Sequence, residues 1–157
     1  MKLLSAGLLM YRFKDGAPQV LLVHPGGPFW QNKDDGAWGL PKGEADDGEM
    51  GEQLLNVAKR EFEEETSFKP VGEMVYLGAV KRARDGKVVE AWMFEGDCDP
   101  SKIKSNTIVI DWPPKSGKKT LIPEIDRGAF FTPEEAKIKI SEYQRGFIEM
   151  FEKVIKV

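Results

Sequence analysis

Apolar residues dominate positions 2–13 and again 19–24, and the intervening Lys14-Asp15-Gly16-Ala17-Pro18 holds residues that favour a turn. The pattern predicts two opening strands. Pro25-Gly26-Gly27-Pro28 stops the second, and a loop runs past Phe29, Trp30 and Asp34-Asp35-Gly36 to Trp38. Pro41-Lys42-Gly43 reads as a further break. Over residues 51–65 the apolar period becomes helical, with Leu54, Leu55, Ala58 and Phe62 recurring along one side.

Two strands are predicted over residues 71–82 and 87–94. Asp85-Gly86 between them predicts a type I′ hairpin, whose two central residues both need positive φ. Residues 107–112 and 122–131 read as strands around a polar loop, 113–120. Thr132 is placed to cap the last helix, Pro133 suits its first position and Glu135 completes a capping box. Ala136, Ile140, Tyr143, Phe147, Met150 and Val154 then form one apolar stripe, predicting one helix through Val154. Strands mixed with two long helices predict an α/β or α+β layered domain, and 157 residues fit a single domain over 1–157.

A hydrophobic share of 41% beside 31% charged residues excludes a disordered chain. The longest apolar runs, at 7–10 and 20–23, are too short to span a bilayer, and residues 1–7 make a poor signal peptide. The single Cys98 allows no internal disulfide, which accords with a cytoplasmic protein. Net charge is −3, yet residues 44–65 carry nine acids against only Lys59 and Arg60. Such a stretch is either a solvated face or a cation site.

Glu61, Glu64 and Glu65 stand at i, i+3 and i+4 and so project from one helical face. At ~5.5 Å apart, two such charges repel by roughly 0.8 kcal/mol in water and about 3 kcal/mol at an effective dielectric of 20. Half-buried, three of them are unfavourable unless a cation joins them. Hard carboxylate oxygens suit Mg²⁺ or Mn²⁺.

The loop before this helix adds a second signal. Gly43, a spaced glutamate, Arg60-Glu61-Phe62-Glu63-Glu64-Glu65 and Phe68 together resemble the box of the Nudix hydrolases. The order of elements resembles that family over nearly the whole length. There are two departures. The box is about three residues longer than the family's, so that Glu49 has the family's distance from Gly43 whereas Glu52 has its distance to Arg60. The family's last glycine is Ser67, and a serine takes the left-handed conformation of such a helix end at a cost of roughly 1 kcal/mol.

The resemblance implies an α/β/α sandwich with a mixed sheet between helices. It also implies Mg²⁺-dependent (or Mn²⁺-dependent) cleavage of a nucleoside diphosphate linked to a further group X. Gly43, Glu61, Glu64 and Glu65 would hold the metal, and Arg60 would orient the glutamates. Glu124, in Ile122-Pro123-Glu124-Ile125-Asp126-Arg127, is the candidate second-metal ligand or base; pairing with Arg127 is its structural alternative. Lys42 is a candidate phosphate contact, and Phe29, Trp30 and Trp112 are candidates to stack on a base. Lys115, Lys118 and Lys119 form a basic loop suited to polyphosphate, though Ser116-Gly117-Lys118-Lys119-Thr120 is not a P-loop. His24, the only histidine, sits at a strand end and reads as structural. Dinucleoside polyphosphates and capped RNA ends are alternative substrates, although an acidic chain argues against longer nucleic-acid contacts. The rival of another class is a nucleotide-binding regulator without catalysis, which would be expected to lose box glutamates.

Overall fold

The computed structural model describes residues 3–155, so the start of the first expected strand at Lys2 lies outside the described residues. Its elements are β1 (Leu4–Lys14), β2 (Ala17–Pro25), β3 (Lys42–Glu44), α1 (Glu52–Thr66), β4 (Val75–Lys81), β5 (Val88–Glu95), β6 (Thr107–Asp111), β7 (Lys119–Pro123), β8 (Ile125–Phe131), α2 (Pro133–Lys139) and α3 (Arg145–Ile155). Five strands run in the order β4-β5-β1-β2-β8, with β3 paired to β1 beside this path, while β6 and β7 form a separate hairpin. The β1–β5 pair is parallel and the others are antiparallel, so the sheet is mixed.

Strand β1 changes partner along one edge. Tyr11 to Lys14 pair with β2, whereas Ser5 to Gly7 pair with β3. Between them, the Leu8 N–H donates to the Pro41 carbonyl at 3.1 Å. Val23 of β2 exchanges both backbone bonds with Gly39, at 2.9 and 3.0 Å. Residues 39–44 are therefore wedged where β1 and β2 diverge.

Alternation along β1 supplies two cores, because successive side chains leave opposite faces of a strand. Ala6, Leu8 and Met10 pack with Leu54, Val57, Ala58 and Phe62 of α1. Leu9 packs on the other face with Ala136, Ile140, Phe147, Ile148 and Phe151 of the C-terminal helices. The result is the expected α/β/α sandwich. Burying a side chain such as Phe62, which meets Phe94 edge-on at 5.4 Å, is worth about 1.5–3 kcal/mol.

Four expectations about strands and turns are corrected. The Pro41-Lys42-Gly43 break is a short strand, because β1 offers it an unpaired edge. The strand over 71–82 begins only at Val75 and carries a bulge at Tyr76–Gly78. The strand over 122–131 divides at Glu124, since β7 pairs with β6 whereas β8 pairs with β2. The type I′ turn stands at Asp15-Gly16 (φ 52° and 80°) between the paired Lys14 and Ala17. At Asp85-Gly86 only Gly86 has positive φ; the Asp85 carboxylate instead binds Arg82 and the Lys87 N–H within a wider loop.

The last helix is two helices. Thr132 and Glu135 do form the capping box, but α2 ends at Lys139 and Ile140 turns extended. Trp38 takes the place of the next turn: its N–H donates to the Lys139 carbonyl at 3.0 Å and its carbonyl accepts from Ser141 at 2.8 Å. Ala136, Ile140 and Phe147 still reach the core, whereas Val154 is 52% exposed. Buried Gln144 locks this break to the wedge, accepting from the Leu40 N–H at 3.1 Å and donating to Ser141 Oγ at 2.8 Å. Gln144→Leu keeps the bulk but orphans the buried Leu40 N–H. Urea unfolding should show a loss of about 1–3 kcal/mol; an unchanged midpoint would show that Gln144 does not lock the two together.

Candidate active site

Helix α1 presents its glutamates in graded exposure. Leu54, Ala58 and Phe62 fix the buried stripe, and Glu65, three residues beyond Phe62, follows it inward to 4% exposure. Glu61 is half-buried and Glu64 exposed. The helix ends at Ser67, in the left-handed conformation (φ 69°, ψ 5°), with its N–H donating to the Glu63 carbonyl at 2.8 Å. The Ser67 hydroxyl donates to the Lys104 carbonyl. The Lys104 and Asn106 N–H groups serve the Thr66 and Glu64 carbonyls at 3.3 and 2.9 Å. The carbonyls left open at the helix end are thus met by residues 104–106.

The wedge places β3 against these carboxyls. A Cβ built on Gly43 would lie 2.1 Å from Glu61 Cδ, so only glycine admits that carboxyl group. Next to it, the Lys42 N–H donates to Glu65 Oε1 at 3.3 Å. Glu124, at the break between β7 and β8, completes the group. Its N–H donates to the Asn106 carbonyl at 3.0 Å, its carbonyl accepts from Gly26 at 2.9 Å, and its Oε1 accepts from Asn106 Nδ2 at 3.2 Å. Arg127 pairs with Asp126, not with Glu124.

The carboxyl groups meet in pairs, Glu61 with Glu64 and Glu65 with Glu124. Burial, then the charges of Glu64 and Glu124, push Glu61 from its ordinary 4.5 up to about 7, against an opposing pull from Arg60. Burial, then the hydrogen bond and charge of Glu124, hold Glu65 well above the usual carboxylate range. Arg60 itself is exposed and makes no ion pair among the described residues.

Glu124 borders three cavities. One, of about 470 Å³, is lined by Ser5, Lys42, Gly43, Glu44, Glu61, Glu64 and Lys87. A smaller one, of about 220 Å³, lies among Trp38, Gly39, Leu40, Lys42, Glu65 and Gln144. The third, again of about 470 Å³, is walled by Phe29, Trp30, Ile108, Ile110, Trp112 and Ile122. Phe29 and Trp30 meet edge-on at 5.0 Å there. Lys115 and Lys118 stand exposed beyond Trp112 and line none of the three; Lys119 pairs with Asp111 at 2.8 Å. Glu49 closes a turn on the Asp46 N–H, and Glu52 opens α1. His24 is fully buried between Asp126 Oδ1 at 2.9 Å and the Lys33 carbonyl at 2.6 Å, where it ties the 25–38 loop to β8.

Asn106 and Lys87 carry no signal in the sequence. Neither belongs to a spaced motif. The donor set of four carboxyl groups beside the Gly43 backbone is hard, anionic and crowded, which fits a divalent ion of the Mg²⁺ or Mn²⁺ type. Among the described residues no three His, Cys, Asp or Glu side chains stand ready to hold an ion.

The raised Glu61 has a measurable consequence. A carboxyl whose folded pKa exceeds its unfolded one binds more protons when folded, so its contribution to stability falls as pH rises from about 4.5 through about 7. In chelator, the wild-type urea midpoint should fall between pH 5 and pH 8, and Glu61→Gln should flatten that fall. Equal slopes in the two proteins would show that Glu61 is not the titrating group.

The family model of the NUDIX domain matches residues 1–151. No curated protein matches the chain in sequence. Among solved structures, the NUDIX domain of Shewanella oneidensis NrtR, complexed with ADP ribose, is 19% identical with a TM-score of 0.64, covering 99% of this chain and 90% of that one. The C. elegans Ap4A hydrolase is 20% identical with a TM-score of 0.62, covering 99% of each chain. The MutT protein of Methanosarcina mazei Go1 is 22% identical with a TM-score of 0.60, covering 99% of this chain and 96% of that one. These likenesses are of fold. Nudix hydrolases generally use divalent metals. On the family match over residues 1–151, this chain belongs to the NUDIX domain family.

Proposed function

We propose that the chain hydrolyses a nucleoside diphosphate linked to a further group X, such as a nucleoside triphosphate, with Mg²⁺ as cofactor and Mn²⁺ able to replace it. The observation that carries this reading is the position of Glu124, which borders both the acidic cavity and the aromatic cleft. A ligand spanning that junction sets its base among Phe29, Trp30 and Trp112 and its phosphates beside Lys42 and Lys87. Stacking suits any base, because each has a π face.

Glu61, Glu64, Glu65 and the Gly43 carbonyl would hold the metal, which supplies neutralisation of phosphate charge and acidification of a bound water. The protein's own groups do the rest. Glu124 takes the proton as water adds to phosphorus, the bridging P–O bond breaks, and the leaving phosphate departs with the bond's electron pair. Lys42 and Lys87 offset the charge on the phosphates. Arg60 lowers the pKa of Glu61 from outside and so favours the ionised form a ligand must have.

Lys115 and Lys118 enter this reading only for a substrate long enough to pass the cleft, such as a dinucleoside polyphosphate or a capped RNA end. A regulator without catalysis is disfavoured by the presence of all three box glutamates. The lone Cys98 and the lack of any described helix able to cross a membrane accord with a cytoplasmic setting.

A Mg²⁺-dependent phosphate-release screen over nucleoside triphosphates, dinucleoside polyphosphates, nucleotide sugars and capped RNA tests the class. Glu64→Gln should lower turnover at least a hundredfold and lose most of the Mg²⁺-induced rise in melting temperature seen in wild type. A variant that keeps both would leave the glutamates as a solvated face. Trp112→Ala should raise KM roughly five- to hundredfold with turnover nearly kept, the range expected from losing about 1–3 kcal/mol of stacking. An unchanged KM would move the base out of the cleft.

A further inference from the structure

We propose that Asn106 is a positioning residue that sets the Glu124 carboxyl against the glutamates of α1. The inference rests on the reading of Glu124 as a group acting in hydrolysis. Asn106 is the one residue among those described that hydrogen-bonds to both sides of the acid cluster. Its N–H holds the Glu64 carbonyl at 2.9 Å, its carbonyl accepts from the Glu124 N–H at 3.0 Å, and its side-chain amide donates to Glu124 Oε1 at 3.2 Å. The first bond fixes Asn106 to the end of the helix that carries Glu61 and Glu64. The other two fix Glu124 to Asn106.

This link matters because the Gly26 bond holds only the Glu124 backbone, and Asn106 gives its carboxyl an amide donor. Glu124 sits at a break between two strands that belong to different sheets, so no ladder sets its direction. An amide donor suits this position, because it fixes a carboxylate oxygen without adding charge of its own. Ser105 supports the same segment, its hydroxyl accepting from the Ile125 N–H at 3.0 Å. A displacement of about 1 Å in a reacting group lowers turnover by roughly a hundredfold in well-ordered sites, so a loosened Glu124 has a visible cost.

The test is a double-mutant cycle on the full chain, using whichever of ATP, diadenosine tetraphosphate or ADP-ribose the wild type hydrolyses fastest at saturating Mg²⁺. Asn106→Ala keeps both backbone bonds and removes only the amide. Turnover should fall about tenfold with KM within twofold, whereas a group that binds ground-state substrate would move KM. Glu124→Ala should lower turnover at least tenfold, and adding Asn106→Ala to it should cost less than a further twofold. Losses that multiply in the double variant would overturn the proposal, since a purely structural role adds independently of Glu124. Asn106→Asp, which keeps the shape but faces Glu124 with a like charge, should lose at least as much as Asn106→Ala and stands in if the alanine variant fails to fold. Wild-type turnover in Asn106→Ala and Asn106→Asp beside an impaired Glu124→Ala would sink this inference alone. Wild-type turnover in Glu124→Ala would sink the reading beneath it.

Discussion

Strand β1 has more edge than β2 can occupy. Their hairpin is tight at Asp15-Gly16, and the two strands diverge after Tyr11, which leaves the N-terminal half of β1 with free backbone donors and acceptors. Buried backbone groups must be paired, so another segment has to enter, and residues 39–44 are that segment. Its entry places Gly43 directly beneath the Glu61 carboxyl, at a distance no side chain could share. It also brings Lys42 against Glu65 and Trp38 against the end of α2. The site, the break in the C-terminal helix and the buried Gln144 all follow from one unpaired strand edge.

The same geometry concentrates charge where water is scarce. Four carboxyl groups, two of them on the buried side of α1, face one another across a space bounded by β3 and the β7–β8 break. Their mutual repulsion and desolvation act against the fold, and the protein meets this by pairing acids with each other. Structural ion pairs elsewhere on the molecule, such as Arg82 with Asp85, are opposite-charge pairs of the usual kind. A cluster that keeps like charges together is the exception, and it lies beside an aromatic cleft.

The position of each wall of the aromatic cleft depends on different physics. Phe29 and Trp30 are carried by a loop that His24 anchors from beneath, through Asp126 on one side and the Lys33 carbonyl on the other. Trp112 comes from the β6–β7 hairpin, which shares no strand pairing with the main sheet. The two walls of the cleft thus belong to separately supported elements, and Glu124 lies where they meet.

Helix α1 with its apolar stripe and the capping box at Thr132 were legible in the sequence, because each depends on spacing within one element. Glu61, Glu64 and Glu65 share a helical face by periodicity alone, and Ser67 takes the left-handed conformation its place at the helix end requires. Periodicity could not tell that Ile140 ends one helix and Phe147 belongs to another. The apolar stripe is continuous in sequence, and the interruption comes from Trp38, far away along the chain. Nor could it show that Lys42-Gly43 is a strand, or that Asn106 joins Glu64 to Glu124, since strand edges and hydrogen-bond partners exist only once distant segments meet. The sequence by itself determined which residues carry charge and which face of each element they occupy, because those depend on local covalent geometry. Only the tertiary structure decided which carboxyl groups are buried, which partners hold them and which cavities they share, because burial and dielectric belong to the packed chain.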